Sequence, residues 1–471
     1  MLLSAFVSII YNDGSTYILM YSAILAALFG VFPLIFVPPA EDISNNEGLI
    51  IVVASWLISC LIGAIPYVLW GVEFSFSNAW FESVSGFTTT GSTILVNIEA
   101  VPKGLLFWRA MTHWLGGMGI FVFALSVMPF MGEGMRVLYQ SEMSALALNN
   151  FQQRAKIAVN ILASVYVGLT ALETIALLFC GMDLFDAITH SFATIATGGF
   201  SPRNASVAYF NSISIEMVIM IFMIFSGIHF ALLFGVISGD FKSIWKSWIV
   251  RYYLLALFAG ITISSIDLYI TQYDSFAEAL RHASFQMLSV GTSTGFATAD
   301  SSIWSPVSQM LLIFFRCNVH VPAQLPGNKA DRIVILGKSI MRQIRQLQHP
   351  RAVLAAAIGD RVLEKDVARK RHTVYRVLYL YHFCDHNFVG LPSAQTQPKH
   401  SPEQSPPWAM LLGLGGVGSV GNFQLHFRCR KMDFLCHNVV GTVGNLCAAD
   451  VFYPQTLEIM SRFLFPSFSP R

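Results

Sequence analysis

The sequence predicts an all-α polytopic membrane protein in which units of membrane helix, pore half-helix and membrane helix repeat around a central pore. The composition is one reason, because 54% of the 471 residues are hydrophobic and 12% are charged, about half the charge of a soluble domain. The second reason is that helix-length apolar runs are interrupted three times by a short Thr/Gly/Ser stretch. We therefore expect a pore in a membrane rather than an enzyme, and no nucleic acid partner.

Apolar runs long enough to cross a bilayer recur along the first two-thirds of the chain. A hydrocarbon core requires about 20 residues of helix. The runs of this length lie at roughly 17–37, 48–70, 105–130, 157–180, 213–236 and 250–271, and a shorter one lies at 303–315. Basic residues such as Arg154 and Lys156 cluster on alternate connections. The positive-inside rule places these connections in the cytoplasm and the Thr/Gly stretches toward the outside.

The three Thr/Gly stretches are the candidate cation site. Each follows a short segment that begins with N-cap residues and acids and that cannot cross the membrane by itself. A half-helix entering from outside directs its partially negative C-terminus toward the membrane centre. Backbone carbonyls on a glycine-containing loop can replace the water shell of a cation there. The filter residues expected from this reasoning are Thr89, Thr90, Gly91, Ala196, Thr197, Gly198, Ser293, Thr294 and Gly295.

Four motifs occur in an order and spacing typical of one transporter family. They are Ser85–Ser92, Trp108-Arg109 with Trp114–Gly119, Phe185–His190 with Thr197–Ser201, and Ser293–Phe296. Through them residues 1–315 resemble the bacterial TrkH-type membrane subunit of the Trk/Ktr/HKT superfamily of potassium transporters. The resemblance implies channel-like potassium uptake across the bacterial cytoplasmic (inner) membrane, with potassium at the filter residues and no cofactor in the chain. It also implies contact with membrane lipid, a homodimer, and a cytosolic nucleotide-binding regulatory subunit of the TrkA/KtrA type.

The resemblance further implies four membrane–pore–membrane repeats around one pore, with one filter glycine in each. The expected segments are an extra N-terminal helix pair with a truncated first helix (1–47), three pore repeats (48–130, 131–238 and 239–350) and a degraded fourth repeat (351–471). A disrupted gate loop is expected at 316–331. Glycine rather than serine at position 91 favours potassium over sodium by the same resemblance.

The sequence departs from the family pattern after about residue 315. The family has a glycine-rich gate loop where this chain continues with Arg316–Gly327. Codons for Val321–Gly327 can spell Ala-Gly-Ser-Thr-Ala-Gly in another frame, and those for His382–Val389 can spell Ile-Phe-Val-Ile-Ile-Thr-Leu. We therefore hypothesise small insertions or deletions in the gene, or errors in a draft sequence. The best remaining match to a fourth filter loop is Val420-Gly421, and Gly444 is a rival.

Several side chains leave two interpretations open. Arg109 can pair with an acid such as Glu82, or anchor its helix at the membrane interface. His113 and His229 can make helix-packing hydrogen bonds or take part in a proton relay. The glycines at 116–119 can let helices approach closely or contribute to conduction.

Two other functions are weighed against channel-like uptake. A proton- or sodium-coupled cation symporter would need a functional acid within the membrane, and Glu173 is the main candidate. Alternatively, the chain is a non-conducting remnant because its gate loop, eighth helix and fourth filter are disrupted.

Overall fold

The computed structural model describes residues 1–36, 45–72, 74–127, 145–240, 245, 247–318, 356–358 and 361–363. Its helices are α1 Leu2–Tyr11, α2 Thr16–Phe36, α3 Asn45–Trp70, α4 Phe76–Phe87, α5 Lys103–Val127, α6 Ala145–Phe179, α7 Leu184–Ile195, α8 Ile213–Ser226, α9 Phe230–Ile237, α10 Trp248–Thr271, α11 Phe276–Gly291 and α12 Pro306–Asn318. Short 3-10 turns lie at Ile98–Ala100, Ser206–Phe210 and Ser301–Ile303. Two strands, β1 Ala356–Ile358 and β2 Arg361–Leu363, pair antiparallel with Ala357 opposite Val362.

In the described part of the chain, four helices are long and apolar enough to cross a membrane. The apolar segments are Thr16–Pro33 in α2, Val53–Trp70 in α3, Val159–Phe179 in α6 and Val250–Thr271 in α10. These helices also expose large apolar side chains, such as Phe29 (64% exposed) and Phe258 (71% exposed). Apolar faces of this extent are stable against lipid rather than water. The prediction of an all-α polytopic membrane protein is confirmed.

The other predicted runs differ from a single apolar crossing. The helix α5 has 25 residues and carries Lys103, Arg109 and His113 in its first half. The run at 213–236 is divided, because α8 ends at Ser226, with Gly227 as its C-cap, and α9 begins at Phe230. A side chain at Gly227 would overlap the Tyr253 hydroxyl, so α8 ends against α10.

The helix α6 is longer than the apolar run at 157–180 predicts. It begins at Ala145, well before the predicted start at 157, and continues for 35 residues. A count of apolar residues detects only the part of a helix that lies in hydrocarbon, whereas the first turns of α6 contain polar residues such as Asn149 and Gln152.

Three short helices lie between long ones. The helices α4 and α7 have 12 residues each and α11 has 16. Even the longest measures about 24 Å at 1.5 Å per residue, less than the roughly 30 Å of a hydrocarbon core. Two of them are capped, because Ser75 Oγ accepts the Asn78 N–H and the Asp183 carboxylate accepts the Phe185 N–H. These are the predicted half-helices.

Packing follows the same order in each unit. The helix α4 contacts α3 and α5, α7 contacts α6 and α8, and α11 contacts α10 and α12. The N-terminal pair α1–α2 packs on α5, where the Asp13 carboxylate accepts the Gly104 N–H at 2.6 Å. This order is compatible with the predicted domain boundaries, which stay predictions.

Candidate cation-binding site

Three loops follow the short helices and share one backbone conformation. We call them loop 1 (residues 88–97), loop 2 (196–205) and loop 3 (292–300). In each, a non-glycine residue with positive φ is followed two positions later by a glycine with positive φ: Thr89 and Gly91 (52° and 78°), Thr197 and Gly199 (54° and 80°), and Ser293 and Gly295 (58° and 84°). Residues with side chains rarely adopt this conformation, and β-branched threonine does so least readily. Its threefold recurrence indicates that the surroundings enforce it.

Hydrogen bonds give the loops the same register. The first positive-φ residue donates its N–H three residues back: Thr89 to Gly86 (3.0 Å), Thr197 to Thr194 (2.9 Å) and Ser293 to Val290 (3.1 Å). In loops 1 and 3 a helix serine also donates to the residue after the glycine, at 2.6 Å in both cases. The helix-to-loop transition is therefore built in the same way three times.

In this register the matching residues of loop 2 lie one position later than the sequence prediction. The counterpart of Gly91 and Gly295 is Gly199, whereas Gly198 corresponds to Thr90 and Thr294. The backbone conformation distinguishes the two glycines, because φ is positive at Gly199 and not at Gly198. The residues of loop 2 that match Thr89–Gly91 and Ser293–Gly295 in backbone conformation are therefore Thr197, Gly198 and Gly199, whereas the sequence predicts Ala196, Thr197 and Gly198.

Loops 2 and 3 are in direct backbone contact. A Cβ added at Gly199 would overlap the carbonyl oxygen of Thr294, so only glycine permits this approach. Just beyond the loops, the Ala208 N–H donates to the Ala297 carbonyl at 3.1 Å, and the Ala297 N–H donates to Ser206 Oγ at 3.3 Å.

Loops 1 and 2 are joined through Asn204. Its side-chain oxygen accepts the Ile98 N–H at 2.7 Å, and its side-chain nitrogen donates to Asn97 Oδ1 at 2.9 Å. Together with the contact between loops 2 and 3, this makes the three loops neighbours in one site. Most loop residues are buried, including Gly91, Ala196, Thr197, Thr294 and Gly295.

The helix α5 packs against loops 1 and 2. Arg109 and Glu82 form an ion pair at 2.6 Å with side chains 3% and 0% exposed, so Arg109 is not an interfacial anchor. The His113 ring stacks on Phe200 at 3.9 Å, and its Nδ1 accepts the Phe200 N–H at 3.4 Å. A Cβ at Gly198 would overlap this ring. His113 therefore packs α5 against loop 2, and a part in a proton relay stays an open prediction.

A second α5 contact involves the glycine-rich motif at 116–119. A Cβ at Gly116 would overlap the carbonyl oxygen of Phe87, the last residue of α4. The close-packing interpretation is thus confirmed for Gly116. His229 is half-buried, and the choice between its two interpretations stays open.

Charges near loop 2 are neutralised locally. Arg203 Nη2 donates to Asp186 Oδ2 at 2.6 Å, and its guanidinium lies 4.3 Å from the Tyr209 ring centre. Partial burial alone would lower the pKa of Arg203, but the hydrogen bonds and charge of Asp186 raise it above its ordinary value. Arg203 therefore stays charged and paired.

Side-chain groups for a metal or a coupled ion are few. Among the residues that the structure describes, no three His, Cys, Asp or Glu side chains are close enough to hold a metal ion. Glu173, the candidate coupling acid, is fully buried in α6. Around Gly91, Gly199 and Gly295, at residues 88–92, 196–200 and 292–296, the oxygens that the loops offer to a cation are backbone carbonyls and hydroxyls.

Several predictions concern residues outside the described ranges. These are Val420 and Gly421, the rival Gly444, the recoded stretch 382–389, and the gate loop at 316–331 beyond the end of α12 at Asn318.

Comparison with known proteins identifies the family. The TrkH model, described as a cation transport protein, matches residues 23–390. The chain belongs to the TrkH family. The Trk system potassium uptake protein TrkH of Escherichia coli (strain K12) is 34% identical over 378 residues, covering 78% of this chain and 77% of that protein. TrkH of Halomonas elongata is 34% identical over 364 residues, covering 75% and 74%.

A solved structure agrees with this membership in the TrkH family. The crystal structure of the potassium transporter TrkH from Vibrio parahaemolyticus superposes with a TM-score of 0.79 at 26% identity, covering 97% of this chain and 95% of that chain. The resemblance inferred from the four motifs is therefore confirmed. The match of the family model to residue 390 also extends it beyond the region where the motifs are continuous.

Proposed function

We propose that this chain is a channel-like subunit for potassium uptake, and that loops 1–3 form most of its selectivity filter. The observation that carries the proposal is the same pair of positive-φ residues in three loops, of which loop 2 contacts both of the others. Such a backbone presents successive peptide groups to one narrow space. Carbonyl oxygens in that space can replace the hydration shell of potassium.

The proposed filter residues follow the register of the loop backbones. They are Thr89, Thr90, Gly91, Thr197, Gly198, Gly199, Ser293, Thr294 and Gly295. The C-termini of α4, α7 and α11 lead directly into these loops and contribute partial negative charge. One positive-φ glycine in each loop, rather than a long filter sequence, makes a short filter with few ion sites.

The ion is assigned from relatives and from chemistry. The relatives above carry potassium uptake in their names. Backbone carbonyls suit a weakly hydrated monovalent cation. We propose that a fourth loop at Val420-Gly421 completes the ring.

The remaining features of the proposal concern the assembly. We place the subunit in the bacterial cytoplasmic (inner) membrane with loops 1–3 facing outside. A homodimer and a cytosolic nucleotide-binding subunit of the TrkA/KtrA type are its proposed partners. The predicted boundaries of the four repeats belong to the same proposal.

Growth of a potassium-transport-deficient bacterial strain at low potassium tests the function. The full chain is expected to restore growth, and Gly91→Ser or Gly199→Ser is expected to weaken potassium uptake and admit sodium. Gly181→Ser is the matched control, because Gly181 also has positive φ (88°) but has nothing within 4 Å of an added Cβ. Unchanged potassium-to-sodium selectivity in the loop variants would contradict the proposal.

The same assay separates the other hypotheses. Uptake that depends on sodium or on the pH gradient, and that is lost in Glu173→Gln, would identify a symporter. The chain is a non-conducting remnant if it fails to restore growth while a version whose reading frame is repaired after residue 315 restores it.

A further inference from the structure

A buried ion pair lies between loops 1 and 2. Arg109 Nε donates to Glu82 Oε1 at 2.6 Å, and the two side chains are 3% and 0% exposed. In the described part of the chain, the arginines of the other two pairs with carboxylates, Arg203 and Arg281, are 30% and 24% exposed. The pair of Arg109 is therefore the one that is removed from solvent.

Glu82 holds the residues that follow the glycine of loop 1. Its Oε1 accepts the Thr93 hydroxyl at 2.8 Å, and its Oε2 accepts the Ile94 N–H at 3.1 Å. These residues lie two and three positions after Gly91. Both carboxylate oxygens are thus used on loop 1, and one is shared with Arg109.

Arg109 holds the corresponding residues of loop 2. Its Nη1 donates to the Ser201 carbonyl at 2.9 Å, and its guanidinium lies 3.5 Å from the centre of the Phe200 ring. Ser201 is two positions after Gly199, as Thr93 is after Gly91. The ion pair therefore connects matching points of two neighbouring loops.

The position of Glu82 recurs in the other short helices. Buried polar side chains lie nine residues before the glycine of each loop, at Glu82, His190 and Gln286. His190 Nε2 lies 3.1 Å from Ser201 Oγ, and Gln286 Nε2 donates to the Ala299 carbonyl at 2.6 Å. Each helix thus anchors its own loop from the same place, and Glu82 is the anchor that also binds an arginine.

We infer that Glu82 and Arg109 are positioning residues that hold loops 1 and 2 at a fixed separation and so favour potassium over the smaller sodium ion. A buried ion pair contributes little net stability compared with apolar residues of similar size, so stability does not explain it. Its two ends bond the loops themselves, which gives it a geometric role. The inference rests on the proposed function of the loops as a potassium filter.

The test uses the purified full chain in lipid nanodiscs and the double variant Glu82→Gln/Arg109→Met. Removing both charges leaves no unpaired buried ion, so the fold is expected to persist. Loss of the tether should make amide hydrogen exchange about tenfold faster in peptides covering residues 92–98 and 199–204. Exchange at the wild-type rate in both peptides would overturn the inference.

A second measurement separates the tether from the filter. We expect the thermal unfolding midpoint of the wild type to be higher in potassium than in sodium at equal ionic strength, and this difference to vanish in the double variant. A double variant that retains the full potassium preference would overturn the positioning role. A wild type without any preference would instead count against the potassium filter, while hydrogen exchange still tests the tether.

Two further variants serve as a control and as an alternative if the double variant does not fold. Glu216→Gln/Arg281→Gln removes an ion pair between α8 and α11, and exchange in loops 1 and 2 should not change. If the Glu82→Gln/Arg109→Met protein does not fold, Arg109→Lys preserves the charge but lacks the fork that reaches both Glu82 and Ser201. Faster exchange at 199–204 is then expected, and an unchanged rate there would overturn the inference.

Discussion

The contact between loops 2 and 3 predicts that Gly199 tolerates no side chain. In Gly199→Ala, the new methyl group would overlap the Thr294 carbonyl oxygen, and the residue would keep a φ of 80°. Gly181→Ala is the matched control, because its φ is 88° and its Cβ would meet nothing within 4 Å. Both variants place an alanine in the left-handed backbone conformation, but only Gly199→Ala also creates a steric overlap.

The magnitudes follow from these two terms. A left-handed alanine costs about 1–2 kcal/mol, and the loss of glycine entropy in the unfolded chain offsets about 0.4–1 kcal/mol. Gly181→Ala should therefore lower the free energy of unfolding by about 1 kcal/mol. Overlap in a packed site adds about 1–3 kcal/mol, so Gly199→Ala should lower it by about 2–4 kcal/mol.

Denaturant unfolding of the purified protein in nanodiscs measures the difference. Gly199→Ala should be the less stable variant by about 1–3 kcal/mol, and should lose potassium uptake while Gly181→Ala retains it. Equal losses of stability in the two variants would refute the close approach of loops 2 and 3.

Three other predictions concern α5, the N-terminal pair and the gene. Gly116→Val should destabilise the protein by about 1–3 kcal/mol, because the new side chain would overlap the Phe87 carbonyl. Gly168→Val should leave the stability nearly unchanged, because the space around Gly168 is open. Denaturant unfolding of the two variants measures the difference. Burial alone would raise the pKa of Asp13, but hydrogen bonds from Ser8, Gly104 and Ser15 lower it below its ordinary value of 3.8. The ionised carboxylate therefore stabilises the fold at a pH above 3.8. This contribution disappears as the pH falls through the lower pKa of the folded state. The thermal midpoint of Asp13→Asn should therefore vary less between pH 5 and pH 3 than that of the wild type, and equal slopes would contradict this. Resequencing the gene and its transcript should reveal a displaced frame after residue 315, and an uninterrupted frame that encodes the present residues would remove that hypothesis.

Much of the helical architecture is predictable from local features of the sequence. An apolar run of membrane length has few alternatives to a helix, so α2, α3 and α10 lie close to their predicted bounds. Short segments with N-cap residues likewise predicted α4 and α7. The break at Gly227 was missed because the run at 213–236 is continuously apolar, and the contact with Tyr253 on α10 is not visible in a local pattern.

The candidate site was predicted less completely. In loop 2, Thr197-Gly198-Gly199 offers two adjacent glycines, and only the backbone conformation shows which of them matches Gly91 and Gly295. The loop anchors at His190 and Gln286 were also missed. A signal for them existed in the sequence, because each lies nine residues before the glycine of its loop, but their residue types differ too much for a motif.

The central claim is that loops 1–3 surround a dehydrated potassium ion. The most direct measurement is an anomalous difference map from crystals of this protein grown in rubidium, which replaces potassium and scatters anomalously. The account predicts a peak enclosed by backbone oxygens of loops 1, 2 and 3, next to Gly91, Gly199 and Gly295. A rubidium peak bound elsewhere, with no density between these loops, would contradict it.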